Sequence, residues 1–175
     1  MQPFSISSVL RAISDGARQL NVDVTRAAAV QKATSELEMD LFAERTAIEV
    51  SMDSAKRTKE IEIRKQDPHF RELYEKSYER LSNVLKESRG EREVTPHVDR
   101  PLPDFDRAVR HSDPETDAAI QRKIDDLRTR RKDFLSGVRV ELAGDPMLYK
   151  LFREKICEFH GDRYLAGLGP EASLR

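Results

Sequence analysis

Tryptophan is absent from this chain, cysteine occurs once, and aromatic residues fill only 6% of its 175 positions. One cysteine excludes an internal disulfide framework and fits a reducing compartment. Scarce aromatics, with 36% charged and 38% hydrophobic residues, suit long exposed helices better than one thick core. No apolar run approaches the ~20 residues that cross a bilayer. No basic stretch followed by an apolar one opens the sequence, so a signal peptide is not expected and cytoplasmic synthesis is. An excess of one charge sign is missing too. A net charge of −1 offers no bulk attraction to nucleic acid or an anionic membrane.

Chemistry is equally thin. The seven glycines are isolated, and none sits in a phosphate-binding G-x-x-x-x-G-K-S/T loop. None of the four histidines follows a glutamate by three, so the di-iron bundle motif is missing. Cys157 and His160 supply only two ligands, too few for zinc, and Cys157 reads as a small apolar filler. His97 near Asp99 has no positioned nucleophile beside it. No catalytic residue, cofactor or metal is expected, and the chain reads as not an enzyme.

What is present is helical periodicity. The fold class expected is all-α: a long straight helix, shorter helices, a Pro-containing strap and a C-terminal helical hairpin. Three segments follow. Residues 1–90 hold an N-terminal amphipathic helix, an extended rod and a following helix. Residues 91–112 form the strap, and residues 113–175 form the hairpin and tail.

Phe4, Ile6, Val9, Leu10, Ile13, Ala17 and Leu20 recur at helical spacing, so residues 4–20 read as a short amphipathic helix. Its docking on the rest of the fold competes with a free, partner-binding or membrane-surface arm. Asn21, Asp23 and Thr25 predict a break and a cap for the next helix. From residue 25 to 66 neither Gly nor Pro occurs. At 1.5 Å per residue that stretch predicts a rod of roughly 60 Å. Along it an apolar pair repeats every eleven residues: Ala28/Val30, Met39/Leu41, Val50/Met52 and Ile61/Ile63. Eleven residues close three turns to within about 20°, so each pair restates the same two faces of a nearly straight helix. Leu37, Leu41, Ile48, Met52 and Ala55 make the main stripe. Met39, Val50 and Ile61 lie opposite, with Phe42 between. A helix apolar on two sides requires cover on both.

Charge on the rod is segregated. Residues 36–49 carry Glu36, Glu38, Asp40, Glu44 and Glu49 against Arg45, and residues 56–65 carry Lys56, Arg57, Lys59, Arg64 and Lys65 against Glu60 and Glu62. Solvated faces are the plain reading; the sharper one is that the blocks set a stagger between neighbouring copies.

Asp67-Pro68, Asp113-Pro114 and Asp145-Pro146 each predict a helix start. Asp is a good N-cap, and Pro is tolerated where a helix N–H has no partner. Stripes follow each: Phe70 to Leu85, Ile120 to Leu142, and Leu148 to Phe159. Gly144 is expected to close the second of these in the left-handed conformation. Phe134, Leu135, Val138, Leu142, Leu148, Phe152 and Phe159 are expected to share one core. The tail beyond Tyr164 is expected to fray, with docking of Tyr164, Leu165 and Leu168 as the alternative. The strap carries Pro96, Pro101 and Pro103, which prevent a long helix, and its Val94, Val98, Leu102, Phe105 and Val109 favour docking over disorder. Pro101 to Phe105 also suits polyproline II recognition by a partner.

The functional expectation is a structural or assembly protein, acting as a helical oligomer or inside a larger complex such as a secretion apparatus or virus particle. That last step is architectural analogy. Its candidate partner-binding residues are Met39, Leu41, Phe42, Ile48, Val50 and Met52, with Arg128, Arg131 and Lys132 from a basic run at 122–132. The alternatives are a helical adaptor or chaperone with one protein partner, and a nucleic-acid-associated protein using that basic face.

Overall fold

The computed structural model describes residues 6–88, 100–107, 111 and 113–169. Every described element is a helix: α1 (Ile6–Arg64), α2 (Pro68–Ser88), α3 (Pro114–Ala143), α4 (Pro146–His160) and α5 (Arg163–Leu168). The protein is all-α.

The expected break at Asn21–Thr25 does not occur, and α1 is one helix of 59 residues. The polar residues there bond within the helix instead of capping it. Thr25 Oγ1 donates to the Asn21 carbonyl at 2.8 Å, and Gln19 Nε2 donates to Asp23 Oδ1 at 3.0 Å. Extending an existing helix adds one bond per residue and no nucleation cost, which outweighs the modest propensity penalties of Asn, Asp and Thr.

All three Asp-Pro pairs open a helix. Asp67 Oδ1 accepts from the His69 N–H at 2.8 Å. Asp113 accepts from the N–H groups of Glu115 and Thr116, at 3.3 and 3.2 Å. Asp145 Oδ1 accepts from the Leu148 N–H at 3.0 Å. Each carboxylate satisfies donors that the first helical turn leaves without a partner.

Two compact units emerge: Met1–Met39 with Pro103–Lys132, and Asp40–Leu102 with Asp133–Arg175. In the second unit, Ile48, Met52 and Ala55 of α1 pack with Leu135, Val138 and Leu142 of α3 and with Leu148, Phe152 and Ile156 of α4. Phe134 lies at the edge of this core, half-buried, with the Arg45 guanidinium 5.2 Å from its ring centre. Phe159 does not join: it is 42% exposed, and Ile156, one turn earlier, occupies the core position. The tail does not fray at Tyr164 either. Tyr164 and Leu168 of α5 are both 2% exposed in the same core. Arg139 clamps this short helix by donating to the Leu168 and Gly167 carbonyls at 2.6 and 3.3 Å, groups that a helix end leaves open.

Arg45 meets Phe134, Lys56 pairs with Glu141 and Lys59 pairs with Asp145. The numbers rise together, so α1 and α3 run parallel in this unit. Gly144 does not take the left-handed conformation; its N–H bonds to the Val140 carbonyl at 3.2 Å. The chain leaves α3 through Asp145, which is extended at φ −146°. Gly161, at φ 71°, is where a left-handed glycine stops a helix, α4.

Where the strap is described, it lies on the chain itself. The Arg100 carbonyl accepts from Arg163 at 2.8 Å and from the Tyr164 hydroxyl at 3.4 Å, while its guanidinium pairs with Asp40 at 3.2 Å. Leu102 packs against the second unit's core. Val94, Pro96, Val98 and Val109 fall outside the described residues.

The first unit is slimmer. On its helices the buried side chains are Thr34 of α1 and Thr116, Ile120, Ile124 and Leu127 of α3. Arg26 pairs with Glu115, and Glu38 with Lys123 at 3.2 Å, again in parallel order. Pro103 is buried, and Phe105 sits under Arg128, 5.3 Å from the guanidinium carbon to the ring centre.

Candidate interaction surface

The candidate partner-binding residues divide sharply. Ile48 and Met52 lie in the chain's own core, with Leu41 half-buried on the same stripe. The apolar surface of Ile48 and Met52 is already covered by α3 and α4. Met39, Phe42 and Val50 are 50%, 72% and 54% exposed. At Met39/Leu41 and Val50/Met52 the eleven-residue repeat has one member covered within the chain and one facing solvent; at Ile61/Ile63 the order reverses, with Ile61 half-buried and Ile63 49% exposed.

Two larger exposed stretches carry the helical spacing noted at residues 4–20 and from Phe70 to Leu85. Every residue from Ile6 to Thr25 is exposed. The amphipathic pattern does not stop at Leu20; Val22 and Val24 extend it and are exposed as well. The signal was available, since Leu20 and Val24 are four apart, but the expected break hid it. The second stretch is α2. Leu73, Leu81, Val84 and Leu85 are each about half exposed or more, and no side chain described on α2 is buried. Phe70, Tyr74 and Tyr78 form a column along it, with successive ring centres 6.1 Å apart. Two cations at the end of α1 anchor its base. The Arg64 guanidinium lies 6.0 Å from the Phe70 ring centre and Lys65 Nζ lies 4.6 Å from that of Tyr74. Lys65 is held above its ordinary pKa, chiefly by its hydrogen bond to Glu62.

The basic run is less available than its composition implies. Lys123 pairs with Glu38, Arg128 with Asp125 at 3.2 Å, and Arg130 with Asp126 at 3.0 Å. Arg128 is also engaged with Phe105, and Lys132 is exposed. The rod's charge blocks are likewise matched inside the chain: Asp40 to Arg100, Glu49 to Arg45, Lys56 to Glu141, Lys59 to Asp145. Intrachain partners thus account for much of the charge that a stagger between copies would use.

Two caps carry pKa shifts. Asp145 is held below the usual carboxylate range, first by its bond from Lys59 and then by the Leu148 N–H. Asp113 is held down first by the Thr116 hydroxyl, with the Glu115 and Thr116 N–H groups and Arg26 adding to it. Both groups serve helix starts.

Open grooves flank the α1–α3 contact within each unit. One of about 610 Å³ runs along Asp23, Val30, Thr34 and Lys123. Another, of about 560 Å³, is lined by Met52, Phe134 and Val138 with Glu49, Asp53 and Glu141 at its rim. Among the described residues no group of three or more His, Cys, Asp or Glu is placed to hold a metal ion. No described helix is long and apolar enough to cross a membrane.

Fold and surface together define an all-α protein whose distinctive feature is uncovered apolar helix. Residues 4–89 match the model of a protein family described as bacteriophage N4 gene product 1. That stretch takes in α1 and α2, so the part of the chain that is similar to a phage protein family is the part carrying the exposed stripes. No curated protein and no solved structure matches the chain.

Proposed function

We propose that this chain is a non-enzymatic assembly protein of a bacteriophage, made in the cytoplasm and working as a helical oligomer or as one component of a larger phage complex. The observation that carries this reading is the wet apolar face of α1 at Met39, Phe42 and Val50. Contiguous apolar surface on a soluble chain usually marks a contact site. Met39 and Val50 stand eleven residues apart, three helical turns, which returns them to nearly the same side of α1. The likeness of residues 4–89 to a phage family supplies the setting. A virion or a scaffold around it is the finer reading.

Met39→Asp combined with Val50→Asp tests it, because burying two unpaired carboxylates is prohibitive. Unchanged helicity by circular dichroism with a reduced mass by light scattering is the expected result. Unchanged helicity with unchanged mass removes the main support for assembly through this face.

The exposed α2 column favours a second reading, an adaptor that presents α2 to one protein partner. A chain that stays monomeric across a concentration series, and gains protease resistance only with a partner, is its signature. Nucleic-acid association is the weakest reading, given how many cations of the 122–132 face are already paired.

A further inference from the structure

We infer that Ile6–Val24 of α1 is a self-pairing segment whose occupant is the same segment of a second copy, laid antiparallel. This deepens the assembly reading and rests on it. Ile6, Leu10, Ile13, Ala17, Leu20 and Val24 are spaced four, three, four, three and four apart, the heptad seam of a two-stranded coiled coil. All six are exposed. α3, which covers α1 farther along this unit, begins at Pro114, and its Glu115 already pairs with Arg26, so the seam lies N-terminal to that cover.

A second copy fits the seam residue by residue. In the antiparallel arrangement Ile6 meets Val24, Leu10 meets Leu20, and Ile13 meets Ala17. Each first-type position packs on a second-type position, and the one small seam residue faces a large one. A parallel pair sets Ala17 on Ala17, leaving a gap, and sets two helix N-termini of partial positive charge side by side. Flanking positions raise no repulsion: Ser7, Ser14 and Asn21 line one side and Val9, Gly16 and Asp23 the other, and the one charge, Asp23, lies beside Val9 of the second copy. Gly16 and Ser14 flank the midpoint, where small residues let two backbones approach. A Cβ added at Gly16 meets nothing within 4 Å in the single chain.

The area is adequate for a modest dimer. Ile6, Val9, Leu10, Ile13, Leu20 and Val24 are each 45% to 79% exposed, and the smallest stable interfaces need about 600 Å² per copy. Asn21, Asp23 and Thr25 lower intrinsic propensity in this part of α1. A partner helix supplies packing that the described residues of the chain leave open.

The test uses the full chain in a Cys157→Ser background. Leu10→Cys and Leu20→Cys chains, mixed and mildly oxidised, are expected to form covalent dimer at least tenfold faster than either variant alone, because the two positions meet only across antiparallel copies. Leu10→Asp with Leu20→Asp, at unchanged helicity, is expected to raise the concentration needed for dimer at least tenfold by light scattering. Cross-linking of Leu10→Cys with itself as fast as in the mixture means parallel pairing and overturns the inference. No cross-link in any sample, while the mass remains that of a multimer, also overturns it but leaves assembly through Met39 and Val50 standing. Monomer mass at every concentration for the unsubstituted chain overturns both.

Discussion

Residues 6–25 and residues 41–55 belong to the same helix, carry apolar residues at similar spacing, and have opposite fates. In the later segment Ile48 and Ala55 are fully buried, while in the earlier one every side chain is exposed. The difference does not lie in the pattern of α1. It lies in what stands beside it: α3 and α4 cover Ile48, Met52 and Ala55, while among the described residues none covers Ile6 to Val24. A helical stripe records that a face needs cover, and is silent on whether the cover comes from the same chain.

The comparison is broken most forcefully in the core. Phe152→Ala should cost about 3–5 kcal/mol in urea unfolding, because Phe152 is fully buried and the cavity cannot collapse completely. Leu10→Ala, in dilute protein, should change stability by less than ~0.5 kcal/mol. A cost above 1 kcal/mol at Leu10, on the order expected for a buried site, would mean that the N-terminal segment is covered after all.

Acid supplies the next test. Asp113 and Asp145 are depressed, so their contribution is complete above the ordinary carboxylate pKa of about 3.9 and is lost as pH falls through their lowered values. Thermal unfolding monitored by circular dichroism should therefore decline below about pH 4. Asp145→Asn should flatten the decline, since Asn still caps the helix but carries no titrating charge for Lys59. An unchanged acid profile in that variant would remove Asp145 from the account.

Two smaller effects sharpen the contrast. Ser51 is fully buried with its Oγ unpartnered, so Ser51→Ala should be neutral or stabilising by up to about 1 kcal/mol. A clear loss would indicate a hydrogen bond that the geometry does not contain. Gly137 lies inside α3, and a Cβ there meets nothing within 4 Å. Gly137→Ala should add roughly 0.5–1 kcal/mol, read from the shift in the unfolding midpoint.

Much of the fold was legible because the signals were local. The Asp-Pro pairs marked three helix starts through a carboxylate and a ring that act within one turn. The stripe from Leu135 to Phe152 identified a core because α3 and α4 are separated by only two residues and must pack together. Failures came where one local rule met another. Asn21 to Thr25 looked like a break, but a helix already formed on one side carries through it. Phe159 fitted the stripe, yet Ile156, one turn earlier, holds the core position and Phe159 stays 42% exposed. Of the candidate surface, Met39, Phe42 and Val50 were named and are exposed; Ile48 and Met52 were named and are core. Spacing alone does not distinguish Val50 from Met52, since both satisfy the eleven-residue period and only one is covered.

By itself, the sequence determined the all-α class, the three Asp-Pro helix starts, the absence of any recognised phosphate-loop or di-iron motif, and the two-faced character of α1. These follow from periodicity, capping and composition, which act over one or two helical turns. Only the tertiary structure decided that α1 and α3 run parallel, that α5 docks, that the basic run is paired with its neighbours, and which face of α1 stays wet. Those outcomes depend on side chains brought together across tens of residues, and the energy of such contacts is not written in the spacing of either partner alone.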